Sequence, residues 1–284
     1  MTGSGTTRET SVGQISHILR YPVKSMLGES LAAVDVIEHG FPADRGLAFV
    51  DEATGKVVSA KVPAKWRAML QCSARVKGYA ATITLPDGSE IDVDDESLED
   101  RISELVGRRV TIEDTRRHGD TVERSVPEEV IEQGIAAKVD FTLLELAAAS
   151  PEGSFVDYAP LHLVTSASLA AVSEEAGHEI PALRYRPNLV IDLDSGSGFV
   201  ENTWVGSTIR IGSTLVLRIV LPTPRCAVPT LAHGALPGDN EAVRALNQVN
   251  RIEVEGFGVL PSIGVYAEVV TPGRISVGDP VIVL

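Results

Sequence analysis

Cys226 lies in Leu221-Pro-Thr-Pro-Arg-Cys-Ala-Val-Pro-Thr230, directly after an apolar run, Ser213–Val220, that reads as a strand. Pro222, Pro224 and Pro229 fix the local backbone and remove ladder donors, so the thiol is expected in a stiff loop. The guanidinium of Arg225 next to it favours the thiolate, the form that attacks electrophiles or binds soft metals. A small buried hydrophobe is the other reading of the same residue. Both stand at this point. Four cations could share the chemistry: Lys24 beside Ser25 in Tyr21-Pro-Val-Lys-Ser-Met26, Arg45 at a strand entry, Arg186 in Leu183-Arg-Tyr-Arg-Pro-Asn188, and Arg225. Singly, each is an ordinary solvated charge. Together they would bind phosphate oxygens, and a helix start near Thr165 would add backbone donors.

Other chemistries lack local support. The histidines His17, His39, His118, His162, His178 and His233 form no H-x-H or H-E-x-x-H pattern, and no C-x-x-C occurs. A zinc or non-haem iron site would need residues gathered from distant positions. No G-x-G-x-x-G or P-loop opens a strand-to-helix turn, and no G-x-S-x-G elbow is present. The two cysteines, Cys72 and Cys226, are too few for an iron–sulfur cluster. Cys72, in Met69-Leu-Gln-Cys-Ser-Ala-Arg-Val76, reads as a packed strand residue. Electron transfer by this chain would therefore require a cofactor.

The elements that must position these residues are mostly short strands. The expected strands are Gln14–Arg20, Leu31–Glu38, Gly46–Asp51 turning into Lys56–Ala60, and a hairpin of Ala81–Leu85 with Glu90–Val93 across Pro86-Asp87-Gly88. Leu98–Val106 is the first helix, with Ser97 as cap and Gly107 as stop. Ser125 and Glu128 have capping-box spacing before a short helix ending near Gly134, and Asp140–Ala149 reads as another helix. Later come strand Leu161–Val164, helix Ser166–Ala176 capped by Thr165 and ended by Gly177, and strands Pro187–Leu193, Thr208–Ile211 and Thr214–Val220. A helix over Glu241–Asn250 precedes strands Val265–Thr271, Ile275–Val277 and Pro280–Leu284.

The 284 residues allow one large domain or two modest ones. A net charge of -14 argues against nucleic acid and anionic membrane surfaces as partners. The polar start Met1–Thr10 has no apolar core, and no run reaches the length of a membrane span. The expectation is a soluble cytoplasmic protein with two free thiols.

Taken in order, several segments resemble the MOSC-domain family, named for the C-terminal domain of molybdenum cofactor sulfurases. They are Ile18-Leu-Arg-Tyr-Pro-Val-Lys-Ser25, Gly40-Phe-Pro-Ala-Asp-Arg45, Leu163-Val-Thr-Ser-Ala-Ser-Leu169 and Arg184-Tyr-Arg-Pro-Asn-Leu-Val-Ile191. Phe199-Val-Glu-Asn-Thr-Trp-Val-Gly206, Arg225-Cys226, Gly264-Val-Tyr-Ala267 and Gly273-Arg-Ile-Ser-Val-Gly-Asp-Pro-Val281 continue the series. The resemblance spans residues 13–284. It implies a mainly β protein with packed helices (α+β), an N-terminal β-barrel-like domain and a C-terminal MOSC β-barrel domain. The implied division is a disordered N-terminus over 1–12, the first domain over 13–118, a connection over 119–139 and the MOSC domain over 140–284.

The arrangement is similar to the mitochondrial amidoxime-reducing component and its bacterial relatives. That similarity implies a molybdenum cofactor (Mo-molybdopterin) and reduction of N-hydroxylated compounds such as amidoximes and hydroxylamines. It implies Cys226 as the molybdenum ligand, and Lys24, Ser25, Arg45, Arg186 and Asn188 around the pterin and its phosphate. Arg225, Tyr266 and Thr165 fall in matching segments and are expected near the cofactor. The family is also associated with pyridoxal phosphate binding. Pro224 departs from the family, where a small polar residue is common two positions before the cysteine; Thr223 is the substitute donor. An external electron donor, a flavoprotein reductase or ferredoxin-type protein, is implied as partner. Two other activities remain open on the same thiol: persulfide sulfur transfer for metal–sulfur cluster assembly, and molybdopterin carriage without turnover.

Overall fold

The computed structural model describes residues 11–78, 80–117, 119–146 and 153–284. Of the N-terminus expected to be disordered, residues 1–10 lie outside that range, as does His118, and Ser11 and Val12 already belong to a strand. In chain order the structure has β1 (Ser11–Arg20), β2 (Glu29–Leu31), β3 (Ala33–Val36), β4 (Ala48–Asp51) and α1 (Pro63–Trp66). Next are β5 (Ser73–Lys77), β6 (Ala80–Thr84), β7 (Glu90–Asp92), α2 (Leu98–Val106) and β8 (Val110–Glu113). β9 (Thr121–Ser125), α3 (Pro127–Gln133) and β10 (Phe141–Glu145) lead to β11 (Leu161–Thr165), α4 (Ser166–Ala176) and β12 (Leu189–Leu193). The chain closes with β13 (Thr208–Ile211), β14 (Leu215–Pro224), α5 (Glu241–Val249) and β15 (Arg251–Val254). β16 (Gly258–Thr271), β17 (Gly273–Ser276) and β18 (Pro280–Val283) follow.

Seven strands close into a barrel in the order β11-β12-β1-β18-β13-β14-β16, with β16 pairing back onto β11. The β11–β12 pair is parallel and is bridged by α4; the barrel's other pairings are antiparallel. Alternation along each strand fills the interior: Ile15, Leu163, Leu189, Ile209, Leu217, Val265 and Val281 are fully buried in one cluster. Small sheets β4–β8 and β5–β6–β7 enclose the second large core, built on Val23, Met26, Phe49, Met69, Cys72, Ile83 and Ile102. The two halves exchange strands. β1 is built into the C-terminal barrel, and β3 pairs with β17. No helix among the described residues is long and apolar enough to cross a membrane.

Helices α2 and α4 end where the sequence stops them, because Gly107 (φ 68°) and Gly177 (φ 73°) take the left-handed cap conformation. Thr165 caps α4, its Oγ1 accepting from the Ser168 amide at 3.2 Å. Ser97 does not cap α2; its hydroxyl donates to Asp95 Oδ1 at 2.7 Å. Ser125 likewise ends β9 and makes no cap; α3 starts on Pro127 with no side-chain cap.

Three expectations are corrected. Phe141–Glu145 is a strand paired with β9, with Phe141 opposite Ser125 and Glu145 opposite Thr121; Ala147–Ala149 lie outside the described residues. A distant partner strand outweighs the local helical preference of its leucines. Lys56–Ala60 is not a regular strand and retains one bridge, Val50 to Val57. The segment before Cys226 is not a free loop, since β14 runs through Pro222 and Pro224, opposite Val265 and Ser262 of β16. The prolines are tolerated there because β13 pairs only with Leu215–Arg218, which leaves the farther edge of β14 without a ladder partner.

Candidate functional site

The expected site residues come from five segments that the barrel closure draws together. Lys24 and Ser25 follow β1, where the Lys24 amide donates to Leu47 O at 2.8 Å. Arg45 ends the turn before β4, while Arg186 and Asn188 lead into β12. Arg225 and Cys226 follow β14, and Tyr266 faces Leu221 across the β14–β16 ladder. Gly264 is required where β16 closes on β11: at its φ of +76° a Cβ would sit 2.3 Å from Leu163 O and 2.5 Å from His162 Nε2. Lys24, Ser25, Arg45, Arg186, Asn188, Arg225, Cys226 and Tyr266 all line one cavity. Thr165 does not. It is buried behind the barrel wall, donating to Glu201 Oε2 at 2.7 Å, so its role in the structure is to hold the start of α4.

The cavity is cationic in a protein of net charge -14. Among the described residues, five cations (Lys24, Arg45, Lys61, Arg186 and Arg225) line it against one carboxylate, Asp157. Asp157 Oδ1 takes Lys24 Nζ at 2.8 Å and Lys61 Nζ at 2.9 Å. Burial opposes the charged carboxylate, but the two ammonium groups outweigh it and hold Asp157 well below the usual carboxylate range. Lys24 is lowered to about 8 by its own burial, which Asp157 only partly offsets. Arg45 and Arg186 both lie over the Tyr21 ring, 4.5 and 4.4 Å from its centroid. Burial, then the Arg45 charge, brings Arg186 down to about 10, so a nearby anion would relieve a real repulsion.

Hydrogen bonds fix these guanidinium groups. Asp44 accepts from Arg45 Nη1 at 2.5 Å, from the Tyr21 amide at 2.8 Å and from Asn188 Nδ2 at 3.0 Å. Asn188 Oδ1 in turn accepts from Arg45 Nη1 at 3.1 Å and from the His162 amide at 3.2 Å. Arg186 Nη1 donates to Met26 O at 2.6 Å. The described non-glycine residues with positive φ are Ser25 (67°), Ala43 (62°), Arg45 (47°) and Arg186 (55°), so three of the four line the cavity. Left-handed backbone at a side-chain-bearing residue costs about 1 kcal/mol or more, and strain of this kind concentrates where geometry serves a ligand.

Cys226 is an unpaired thiol, 7 % exposed, backed by Ala60, Leu70, Val228 and Leu231 from both halves of the chain. Arg225 is anchored beside it by Nη2 donating to Tyr185 O at 2.8 Å. Its Nε and Thr223 Oγ1 are buried without a protein partner. Arg225 lines the cavity, so its Nε is a donor left to serve something other than protein, whereas Thr223 is not part of the lining. Among the described residues no group of three or more His, Cys, Asp or Glu converges, so the chain would offer a metal here a single side chain.

Tyr21, Asp44, Lys61, Asp157 and His162 belong to the site and escaped sequence reasoning. Asp44 had a visible signal, its place beside Arg45. His162 looked like one scattered histidine among six; it is buried against Tyr266 (ring centroids 5.9 Å) and bonded to Ile263 O at 3.2 Å. Burial, with Arg225 next in weight, lowers it to about 3, so it is a neutral imidazole. Tyr266 keeps its phenolic proton, because burial pushes its pKa up.

Two family descriptions match the chain: the MOSC N-terminal beta barrel domain over residues 12–124, and the MOSC domain over residues 151–282. Among curated proteins, mouse mitochondrial amidoxime-reducing component 1 is 29% identical over 136 residues, 46% of this chain and 38% of that protein. Human mitochondrial amidoxime reducing component 2 is 29% identical over 132 residues, 45% of this chain and 38% of that protein. The match thus spans well under half the length of these relatives. Among solved structures, the YUAD protein from Bacillus subtilis has a TM-score of 0.44 and 10% identity, covering 95% of this chain and 94% of that one. With the closed barrel and both domain matches in place, the chain belongs to the MOSC-domain proteins that carry an N-terminal MOSC β-barrel domain.

Proposed function

We propose that this chain is a molybdenum-cofactor oxidoreductase that reduces N-hydroxylated compounds. The observation that carries the reading is the free Cys226 thiol opening on a cavity with five cations and one carboxylate. The residues fit the group: soft thiolate for a soft metal, and charge-assisted donors for a pterin phosphate. Lys24, Lys61, Arg45 and Arg186 would hold the phosphate end, with Ser25 and Asn188 as polar neighbours, and Cys226 would be the protein ligand to molybdenum. The names of the curated relatives support the reaction class. When bound, the cofactor supplies two-electron redox chemistry. Two electrons and two protons break the substrate N–O bond, the oxygen leaves as water, and an amidine or amine is released. The electrons come from an external flavoprotein reductase or ferredoxin-type donor.

The chain's own residues bind, orient and hold protons. Arg45 and Arg186 are preorganised by Asp44, Asn188 and Met26 O, so little side-chain freedom is lost on binding an anion. Ala60, Leu70 and Val228 exclude water behind the thiol. Tyr266 presents a phenol O–H, and neutral His162 supports it from the adjoining strand. The two free thiols suit a reducing cytoplasm. The test is reduction of benzamidoxime to benzamidine by molybdenum-loaded protein, with reduced viologen as electron source. Steady product formation supports the reading. Stoichiometric pterin with no turnover would make the chain a carrier, and a labile sulfur on Cys226 without molybdenum would make it a sulfur-transfer protein.

A further inference from the structure

Cys226 stands in the wall between two cavities. The second shares Lys61, Asp157, Arg225, Cys226 and Tyr266 with the cationic one and differs from it in the aromatic rings that complete its lining. Tyr158 and Phe257 line it, and their rings meet edge-on with centroids 5.7 Å apart at 73°. Tyr158 also tilts against Tyr266 at 5.5 Å and 39°, so three rings from separate segments make one aromatic wall. Phe257 comes from the turn between β15 and β16, and Tyr158 from the segment before β11. A planar guest adds to such a wall by stacking or edge contact. Arg124, from β9, lines the same space. Its Nη2 donates to Arg225 O at 3.0 Å, and among the described residues no carboxylate pairs with it. A guanidinium so placed is free to accept an anionic group.

We propose that this second cavity is a substrate compartment for a planar aryl group bearing a carboxylate or similar anionic substituent. The ring lies along Tyr158 and Phe257, the anion meets Arg124, and the reacting end faces Cys226. Assigning this ligand as substrate rests on the reductase reading; its binding does not. Titration calorimetry on the purified full chain, at measured molybdenum content, compares 4-carboxybenzamidoxime, benzamidoxime and acetamidoxime. The carboxylated aryl probe should bind tightest and acetamidoxime weakest. Phe257→Ala should weaken both aryl probes by roughly threefold to tenfold, and Arg124→Gln should weaken the carboxylated probe alone by about tenfold. Phe257→Leu, which keeps apolar area in the same turn, should show the same loss if the ring face matters. Aryl affinities that stay within about twofold in all three variants overturn the compartment. So does acetamidoxime binding as tightly as the aryl probes. If the aryl pattern holds but the protein carries no molybdenum and reduces nothing, the compartment stands and the reductase reading falls. Amidoxime turnover with no dependence on Phe257 or Arg124 does the opposite: the reductase reading stands and the compartment falls.

Discussion

Asp44 is the residue on which the cationic wall depends. It is 5 % exposed and meets Arg45 Nη1, the Tyr21 amide and Asn188 Nδ2. Asp44→Asn keeps the shape but removes the charge, and its amide would turn a donor toward Arg45 or Asn188. Breaking a buried ion pair from one side costs about 3–5 kcal/mol, since the surviving charge is left unpaired. For a chain of this size about 1 kcal/mol shifts the melting temperature by roughly 2–4 °C, so the variant should melt about 10 °C lower. Urea denaturation followed by far-UV circular dichroism, on protein without cofactor, measures the loss. A cycle with Arg45→Met separates pair from parts, because the double variant has no orphaned charge and should lose about 2 kcal/mol less than the sum. The same Asp44→Asn change leaves the cavity more positive, so sulfate should stabilise the variant more than the wild type. Additive single losses, or a loss under about 1 kcal/mol, would refute the argument that Asp44 neutralises Arg45.

Further outcomes follow from the same geometry. His162 has a folded pKa of about 3, below its unfolded value, so its stability contribution is complete above pH 6.5 and is lost as pH falls toward 3. At pH 5 it should cost the wild type about 2 kcal/mol, and His162→Gln should flatten that part of a urea-stability profile. Lys24, at about 8, loses its charge as pH rises, so sulfate affinity measured by calorimetry should fall between pH 7 and pH 9, and Lys24→Met should remove that dependence. Arg186 holds a φ of 55°, so Arg186→Gly should be more stable than Arg186→Ala by about 1 kcal/mol in urea melts, although both lose the charge. Thr165→Ala should cost about 1 kcal/mol as a lost cap while leaving molybdenum content unchanged, because Thr165 is outside the cavity.

Much of the site was legible because its residues sit in short segments with distinctive order: Lys24, Ser25, Arg45, Arg186, Asn188, Arg225, Cys226 and Tyr266 line one cavity. Helices α2 and α4 were legible from their glycine stops, and the hairpin of β6 and β7 from Pro86-Asp87-Gly88. What stayed hidden depends on distant pairing. Phe141–Glu145 becomes a strand only because β9 is there to receive it. Asp157 and Lys61 meet across almost a hundred residues of chain, and no local pattern marks either. The segment match alone places Thr165 near the cofactor. Its neighbours Ser168 and Glu201 give it a structural task instead.

Cys226 admits two readings from sequence, packing or chemistry, and the cavity gives the chemical one its setting. The direct test is molybdenum and pterin per chain in wild type and Cys226→Ser, both purified from a host that makes the cofactor. The wild type is expected to hold near-stoichiometric molybdenum and Cys226→Ser to lose most of it, with pterin reduced less because the cations still hold the phosphate. Equal molybdenum in the two proteins, or none in the wild type under conditions that load a relative, would contradict that expectation.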